Sequence, residues 1–232
     1  MTPTRGQLPS LSAALAGIPA GLQMVGPWTG RRQLFVKFAG EAETATIYSA
    51  DALRGELKRL TSRSVYHSVA VVGRDALVEE EFLSAAFDQL GPLPVMLDHD
   101  GQRPEALARL LQALTLVQVT LQGTESAAAL ERVGATIGLA AEREVAHAVA
   151  IVPGVTVSDG PLLRIVEQVH EASDSAQIVV HPLAEQALER NRRWVLWLEQ
   201  AMRVHPDVRV LPQWPIAAVA GEDSGTRNAR SG

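Results

Sequence analysis

The sequence predicts an α/β fold in which a parallel sheet of six or seven strands is covered by helices. Short runs rich in Val, Ile and Leu alternate with helix-like segments over about 190 residues, which is typical of repeated β-α-β units with right-handed crossovers. The runs are almost continuously apolar, as expected for a sheet covered on both faces. Since a complete barrel needs eight such units, we expect one that closes only in part.

The units are predicted to follow one another from residue 22 to residue 220, which we treat as one domain. The predicted strands are 33–38, 65–72, 94–97, 116–121, 177–180 and 208–211, and the run 145–152 is either a further strand or the end of a helix. The predicted helices are 52–60, 79–90, one starting at Pro104, 124–133, 161–172 and 185–204. Leu53, Leu57 and Leu60, for example, recur at helical spacing on one face.

The two ends of the chain are predicted to lie outside this domain. Residues 1–21 mix Pro, Gly, Ser and Ala with a short apolar patch at 11–15, so we expect a partly ordered lead-in with one helical turn. Residues 221–232 are polar and aperiodic, and we expect a disordered tail.

Composition narrows the function classes. A formal net charge of −5 gives no basic footprint for nucleic acid or for anionic membranes, so neither partner is expected. No run approaches the eighteen apolar residues that a membrane-spanning helix needs. The chain contains no cysteine, which removes thiol nucleophiles and thiolate metal sites together. We therefore expect a cytoplasmic protein.

The stretch from residue 23 to residue 48 carries a family resemblance. It reads Gln23-Met-Val-Gly26, then Thr29-Gly30-Arg31, then a strand that ends Val36-Lys37-Phe38-Ala39-Gly40. This resembles the opening of the radical S-adenosylmethionine (SAM) enzymes, most closely the 7-carboxy-7-deazaguanine synthases of queuosine-related chemistry. The resemblance covers about residues 22–220 and implies a radical SAM-type partial (β/α)6 barrel.

The same resemblance fails where that family holds its cofactors. Its three cluster-binding cysteines fall here on Glu41, Ala45 and Tyr48, and [4Fe–4S] clusters of this class are held by cysteine thiolates. Its Thr-Gly-Gly-Glu-Pro segment, which binds the amino group of SAM, corresponds to Gly73-Arg74-Asp75, where a cation would repel an ammonium group. We therefore expect no cofactor and no cluster, and whether SAM still binds is left open.

The remaining candidate positions lie at predicted strand ends. Asp98, His99 and Asp100 stand where the family has Glu-Thr-Asn; they could bind a metal or form a solvated turn. His181 could act as a base or ligand, or bond to a neighbouring backbone group. A possible ligand loop comprises Gln23, Gly26, Gly30 and Arg31, with Gln122 and Gln213 from later strand ends. The glycine pair in it could cradle an anion or form a plain turn.

Three further features leave alternatives open. Glu41 and Glu43 could act as paired carboxylates or as a solvated loop. His147 lies in an apolar run and is predicted to be a satisfied core residue. Trp194, Trp197 and Trp214 are either core residues or interface anchors.

These observations support three functional hypotheses. The leading one is a cysteine-free pseudoenzyme that acts by binding, as a homodimer or with a catalytic partner. The second is an enzyme that uses Asp98, His99, Asp100 and His181 for non-radical chemistry on a purine-like or deazapurine-like molecule; it requires those side chains to meet in one pocket. The third, a cluster supplied by another subunit, is the weakest because every cysteine is missing.

Overall fold

In the computed structural model, residues 11–41, 43–73, 75–88, 90–183 and 191–213 are described. The strands are β1 (Ser12–Gly17), β2 (Ala20–Leu22), β3 (Arg32–Phe38), β4 (Thr46–Ser49), β5 (Ser68–Gly73), β6 (Val95–His99), β7 (Leu116–Leu121), β8 (Ala146–Ile151), β9 (Gln177–Val180) and β10 (Val208–Val210). The helices are α1 (Ala50–Thr61), α2 (Glu80–Phe87), α3 (Pro104–Leu110), α4 (Ala127–Glu142), α5 (Asp159–Ala172) and α6 (Arg192–Val204).

All ten of these strands form one open sheet. Its order is β10-β9-β8-β7-β6-β5-β3-β1-β4, with β2 paired to the other part of β3. The seven strands from β3 to β10 in this order run parallel, whereas β1, β2 and β4 are antiparallel additions at one end. The chain therefore has the predicted α/β class with a mostly parallel sheet.

The helices pack on one face of the sheet. Alternate strand residues such as Val36, Val71 and Val117 are buried against α1, α2 and α3 in one cluster, and Val149 and Ile178 against α4, α5 and α6 in a second. Successive helices also contact each other from α1 to α6. Because side chains alternate along a strand, the other residues face the opposite way. We call that second face the open face.

A loop of the chain covers part of the open face. Residues 23–31, which connect β2 to β3, place Trp28 against a small cluster of Ala70, Met96, Leu116 and Ala148. The expected cover on both faces is therefore supplied by helices on one side and by this loop on the other. The loop leaves the carboxyl ends of the central strands accessible at Asp98 and Thr120, which are partly exposed.

One expectation about the edge of the sheet was wrong. The lead-in does not form a helical turn at 11–15, because Ser12–Gly17 pairs as β1 with both β3 and β4. Thr46–Ser49 forms a further strand, β4, in a segment for which no strand was predicted. The open alternative for 145–152 is resolved as β8. The expected tail, Trp214 and residues 1–10 lie outside the described residues.

Candidate functional site

Three polar side chains meet on the open face at the ends of β6 and β7. Thr120 Oγ1 donates to Asp98 Oδ1 at 2.6 Å, and Gln118 Nε2 donates to Asp98 Oδ2 at 3.0 Å. We call Asp98, Gln118 and Thr120 the Asp98 site. Asp98 and Gln118 lie directly opposite each other in the parallel register, which brings the carboxylate and the amide together.

The Asp98 carboxylate is stabilised only by neutral groups. Burial raises the pKa of Asp98 from 3.8 to about 6, and the hydrogen bonds from Thr120 and Gln118 oppose this rise in part. Among the described residues no cationic side chain pairs with it. At neutral pH it is therefore a mostly ionised carboxylate without a counter-charge.

Gly26 connects the Asp98 site to His181. The backbone N–H of Gly26 donates to His181 Nε2 at 2.8 Å across 155 residues of sequence. Gly26 has φ +84°, and a Cβ at this position would lie 1.8 Å from Gln118 Oε1. Only glycine fits here, because a side chain would be strained by the backbone angle and would collide with Gln118.

His181 is a buried, neutral side chain. It is 0% exposed, and burial lowers its pKa to about 4, with the Pro212 carbonyl opposing the shift in part. Since Nε2 accepts from Gly26, the neutral ring carries its proton on Nδ1. No described group lies within hydrogen-bond geometry of Nδ1, and the Pro212 carbonyl near this ring acts only to raise the pKa against the effect of burial. The predicted backbone contact of His181 is thus present, and it is made to Gly26.

The four residues proposed as catalytic do not converge. Asp98 and His181 belong to the open face, but His99 follows Asp98 in β6 and turns to the helix face. Its Nδ1 accepts from the Gly101 N–H at 3.3 Å, and burial lowers its pKa to about 4. Asp100 is exposed and accepts from the backbone and side chain of Gln102. The condition on which the enzyme hypothesis depended is therefore not met.

The structure does not bring together a metal site either. Within the described ranges, no group of three or more His, Asp or Glu side chains could hold a metal ion. Asp98, His99 and Asp100 point in different directions, as a strand end and its following turn dictate. The solvated-turn reading holds for Asp100 but not for Asp98.

The residues at the three positions that the family resemblance matches to cluster cysteines do not fit a [4Fe–4S] cluster. Glu41 and Ala45 are exposed in the loop before β4, and Tyr48 lies within β4 opposite Ala13. Tyr48 packs against the core under the helices, away from the open face. A carboxylate, a methyl group and a phenol turned into the core cannot replace three thiolates. Glu43 bonds to Lys37 at 2.5 Å through one oxygen and accepts from the Gly40 N–H through the other.

The segment expected to have bound SAM is engaged within the chain. Asp75 forms an ion pair with Arg103 at 2.5 Å, so its charge is already compensated. Gly73 has φ +104°, and a Cβ there would lie 2.6 Å from the Phe38 carbonyl oxygen. Arg74 lies outside the described residues.

The glycine loop is a turn and does not cradle an anion. The N–H groups of Gly26, Thr29, Gly30 and Arg31 donate to His181, Gly26, Gln23 and Trp28 respectively. Gln23 is buried, with its amide donating to the Val25 carbonyl. Arg31 and Gln122 are exposed, and the backbone of Gln122 is bonded by Glu125. Gln213 donates its backbone N–H to Pro182.

Other predicted features resolve as core. His147 donates from Nδ1 to the Val145 carbonyl and accepts at Nε2 from Ser173, both at 2.8 Å. Trp194 and Trp197 are 7% and 1% exposed and pack edge to face at 5.9 Å between ring centroids. These two tryptophans are therefore core residues.

Gln118 and Thr120 were missed by the sequence reading. The signal was present, because the strand reads Val117-Gln118-Val119-Thr120, an alternation that places both polar residues on the face opposite the valines. The strand was instead treated as continuously apolar. No helix in the described part of the chain has the length and apolar character to cross a membrane.

Comparisons with known proteins identify no family. No protein-family model and no curated protein matches the chain. Among solved structures, it is similar to QueE from Escherichia coli with 12% sequence identity and a TM-score of 0.45, over 88% of this chain and 95% of that one.

Proposed function

We propose that this chain is a binding protein without radical SAM chemistry, which holds a small polar molecule at the Asp98 site. The observation that carries the proposal is the Asp98 carboxylate itself. It is ionised at neutral pH and partly exposed, and in the described part of the chain its hydrogen bonds come from the neutral donors Thr120 and Gln118. Leaving such a group uncompensated costs folding free energy, so a retained one indicates a ligand.

The absence of cysteine from the sequence supports the non-radical part of the proposal. Without thiolates the chain supplies no ligands for an iron–sulfur cluster. The separation of His99 and Asp100 from Asp98 favours binding over catalysis, because general acid–base work needs groups within reach of one substrate. A purine-like or deazapurine-like ligand would match the carboxylate through its ring and exocyclic N–H donors.

A thermal-shift screen with SAM, guanine and pterin compounds tests the proposal. We expect one class to raise the melting temperature of the wild type and of Asp100→Asn, and to leave Asp98→Asn unchanged. Asp100 is the matched control because it lies two residues away, exposed and bonded only to Gln102. Equal shifts in Asp98→Asn, or no shift with any compound, would remove the basis for the proposal.

Assembly with a second copy or with a catalytic partner stays a prediction. Sedimentation velocity on the purified chain, alone and with a candidate subunit, measures it directly.

A further inference from the structure

The charged side chains of the open face are unequally compensated. In the described strands, alternation places Lys37, Asp98 and Arg209 on this face. Lys37 Nζ bonds to Glu43 at 2.5 Å. Arg209 bonds to Gln177 Oε1 at 2.6 Å and lies 3.5 Å from Asp207. Only the carboxylate of Asp98 is left without an opposite charge.

Lys37 lies close enough to Asp98 that an ion pair between the two side chains has to be considered. It stands opposite Val72, and Asp98 follows Leu97, which stands opposite Val71. Asp98 is therefore two strands from Lys37, or roughly 10 Å across the sheet. The lysine is held instead by Glu43, whose other oxygen accepts the Gly40 N–H at 2.9 Å. Among the described residues, Glu43 therefore neutralises the nearer cation of the open face, and the Asp98 carboxylate stays without an ion pair.

Each oxygen of the Asp98 carboxylate accepts one hydrogen bond from the described residues, about half of what it can accept. Oδ1 accepts one bond from Thr120 and Oδ2 accepts one from Gln118. An ionised carboxylate oxygen accepts about two hydrogen bonds, so each keeps a lone pair for a ligand. Two free lone pairs on one carboxylate match two parallel N–H donors, the arrangement that amidinium and guanidinium groups present.

The surroundings favour an organic cation over a hydrated inorganic one. Next to the Asp98 site, Ala70, Met96, Leu116 and Ala148 form a buried apolar cluster with Trp28, Phe35 and Val72 packed against it. The cluster itself is covered, but Trp28, Phe35 and Val72 are each partly exposed, and a planar cation with a carbon framework can lie along these side chains while its N–H groups reach the carboxylate.

We infer that the Asp98 site takes a small planar organic cation of the amidinium or guanidinium type, bound through two N–H groups to both oxygens of Asp98. The inference rests on the proposed function, that a small polar molecule binds at Asp98, but it replaces the uncharged purine-like class named there with an organic cation. Binding then requires the ionised carboxylate, so affinity falls by about tenfold for each pH unit below the pKa of Asp98.

Acetamidinium and acetamide test the inference, because they have the same shape and differ in charge. Each is titrated into ¹⁵N-labelled protein at pH 7.5, and the amide signals of residues 118–120 are followed. We expect saturable shifts with acetamidinium, at least about tenfold weaker binding of acetamide, and the same loss in Asp98→Asn. Asp100→Asn should bind as the wild type does.

Two kinds of outcome would overturn the inference, and they differ in what they say of the proposed function. If acetamide and acetamidinium bind equally, or if a screen hit is uncharged yet depends on Asp98, the inference that the ligand is a cation is wrong. The proposed function as a binding protein would still stand. If acetamidinium binds Asp98→Asn as it binds the wild type, or if no probe or screened compound binds at all, both the cation inference and the proposed function are wrong. The ¹H–¹⁵N spectrum of Asp98→Asn also reports whether that variant is folded.

Discussion

At the residue scale, the fold bears a cost at Asp98 that a ligand would relieve. The pKa of Asp98 is about 6 in the folded protein, against 3.8 for an unperturbed carboxyl. The folded state therefore binds the Asp98 proton more tightly than the unfolded state does. As the pH rises from about 4 to 6 and Asp98 ionises, the folded protein loses stability. A pKa difference of about two units corresponds to a loss of roughly 3 kcal/mol at most in the free energy of unfolding.

Asp98→Asn should remove that loss. We expect the variant to be about 1–3 kcal/mol more stable than the wild type at pH 8, with the difference shrinking towards pH 4. His99 and His181, whose folded pKa values are both about 4, act oppositely and destabilise both proteins as pH falls below 6.5. Urea unfolding of the pair from pH 4 to 8 measures the difference; parallel curves would contradict it.

Gly26 and Gly30 form a matched pair for the loop that covers the open face. Both have positive φ, +84° and +82°, but a Cβ at Gly30 meets nothing within 4 Å, whereas one at Gly26 meets Gln118. Gly30→Ala should cost about 1 kcal/mol from backbone strain alone. Gly26→Ala should cost about 2 kcal/mol more, because Gln118 or the loop must move. Equal free energies of unfolding would mean that the loop does not press on Gln118.

At the element scale, the pairing of β4 explains why the segment that resembles the family's cluster loop is not built to bind a cluster. Its residues pair with β1 from Ser12↔Ser49 to Leu15↔Thr46, so the segment is an edge strand with a fixed register. That register directs Tyr48 towards the helix-side core, while Glu41 and Ala45 stay in the exposed loop. Cysteines placed at these three positions would therefore not converge on one cluster.

The variant Glu41→Cys, Ala45→Cys, Tyr48→Cys tests this interpretation. After anaerobic reconstitution with iron and sulfide, we expect neither the triple variant nor the wild type to gain the visible absorbance of a [4Fe–4S] cluster or to cleave SAM. A brown triple variant with stoichiometric iron would show that β4 can rearrange so that the three cysteines bind a cluster. A wild-type sample that turned brown would have bound a cluster although its sequence supplies no thiolate. That result would contradict the proposal that the chain has no radical SAM chemistry.

Strand and helix order could be predicted from sequence, while the added edge and the site could not. The runs that became β7 and β9 were bounded correctly because buried parallel strands are continuous and apolar. β1 and β4 were missed because their half-exposed, small-residue pattern depends on pairing with β3 and with each other. The side chain of Asp98 was identified, but its partners Gln118 and Thr120 become neighbours only through strand register.

At the scale of the whole molecule, helices cover one face of the sheet and the chain's own loop covers part of the other. The buried contacts of Gly26 with His181 and Gln118 fix this loop across the open face. What stays accessible is the carboxyl end of the central strands, where ligands bind in open parallel sheets. The proposed binding site therefore depends on Asp98 being a carboxylate that no cation in the described part of the chain compensates.

The pKa of Asp98, read from the ¹³Cγ chemical shift of its carboxyl group across a pH titration, measures that property directly. The account predicts a midpoint near 6 in the wild type. A midpoint near 4 would show a carboxylate that is solvated or paired with a cation, and it would contradict the account.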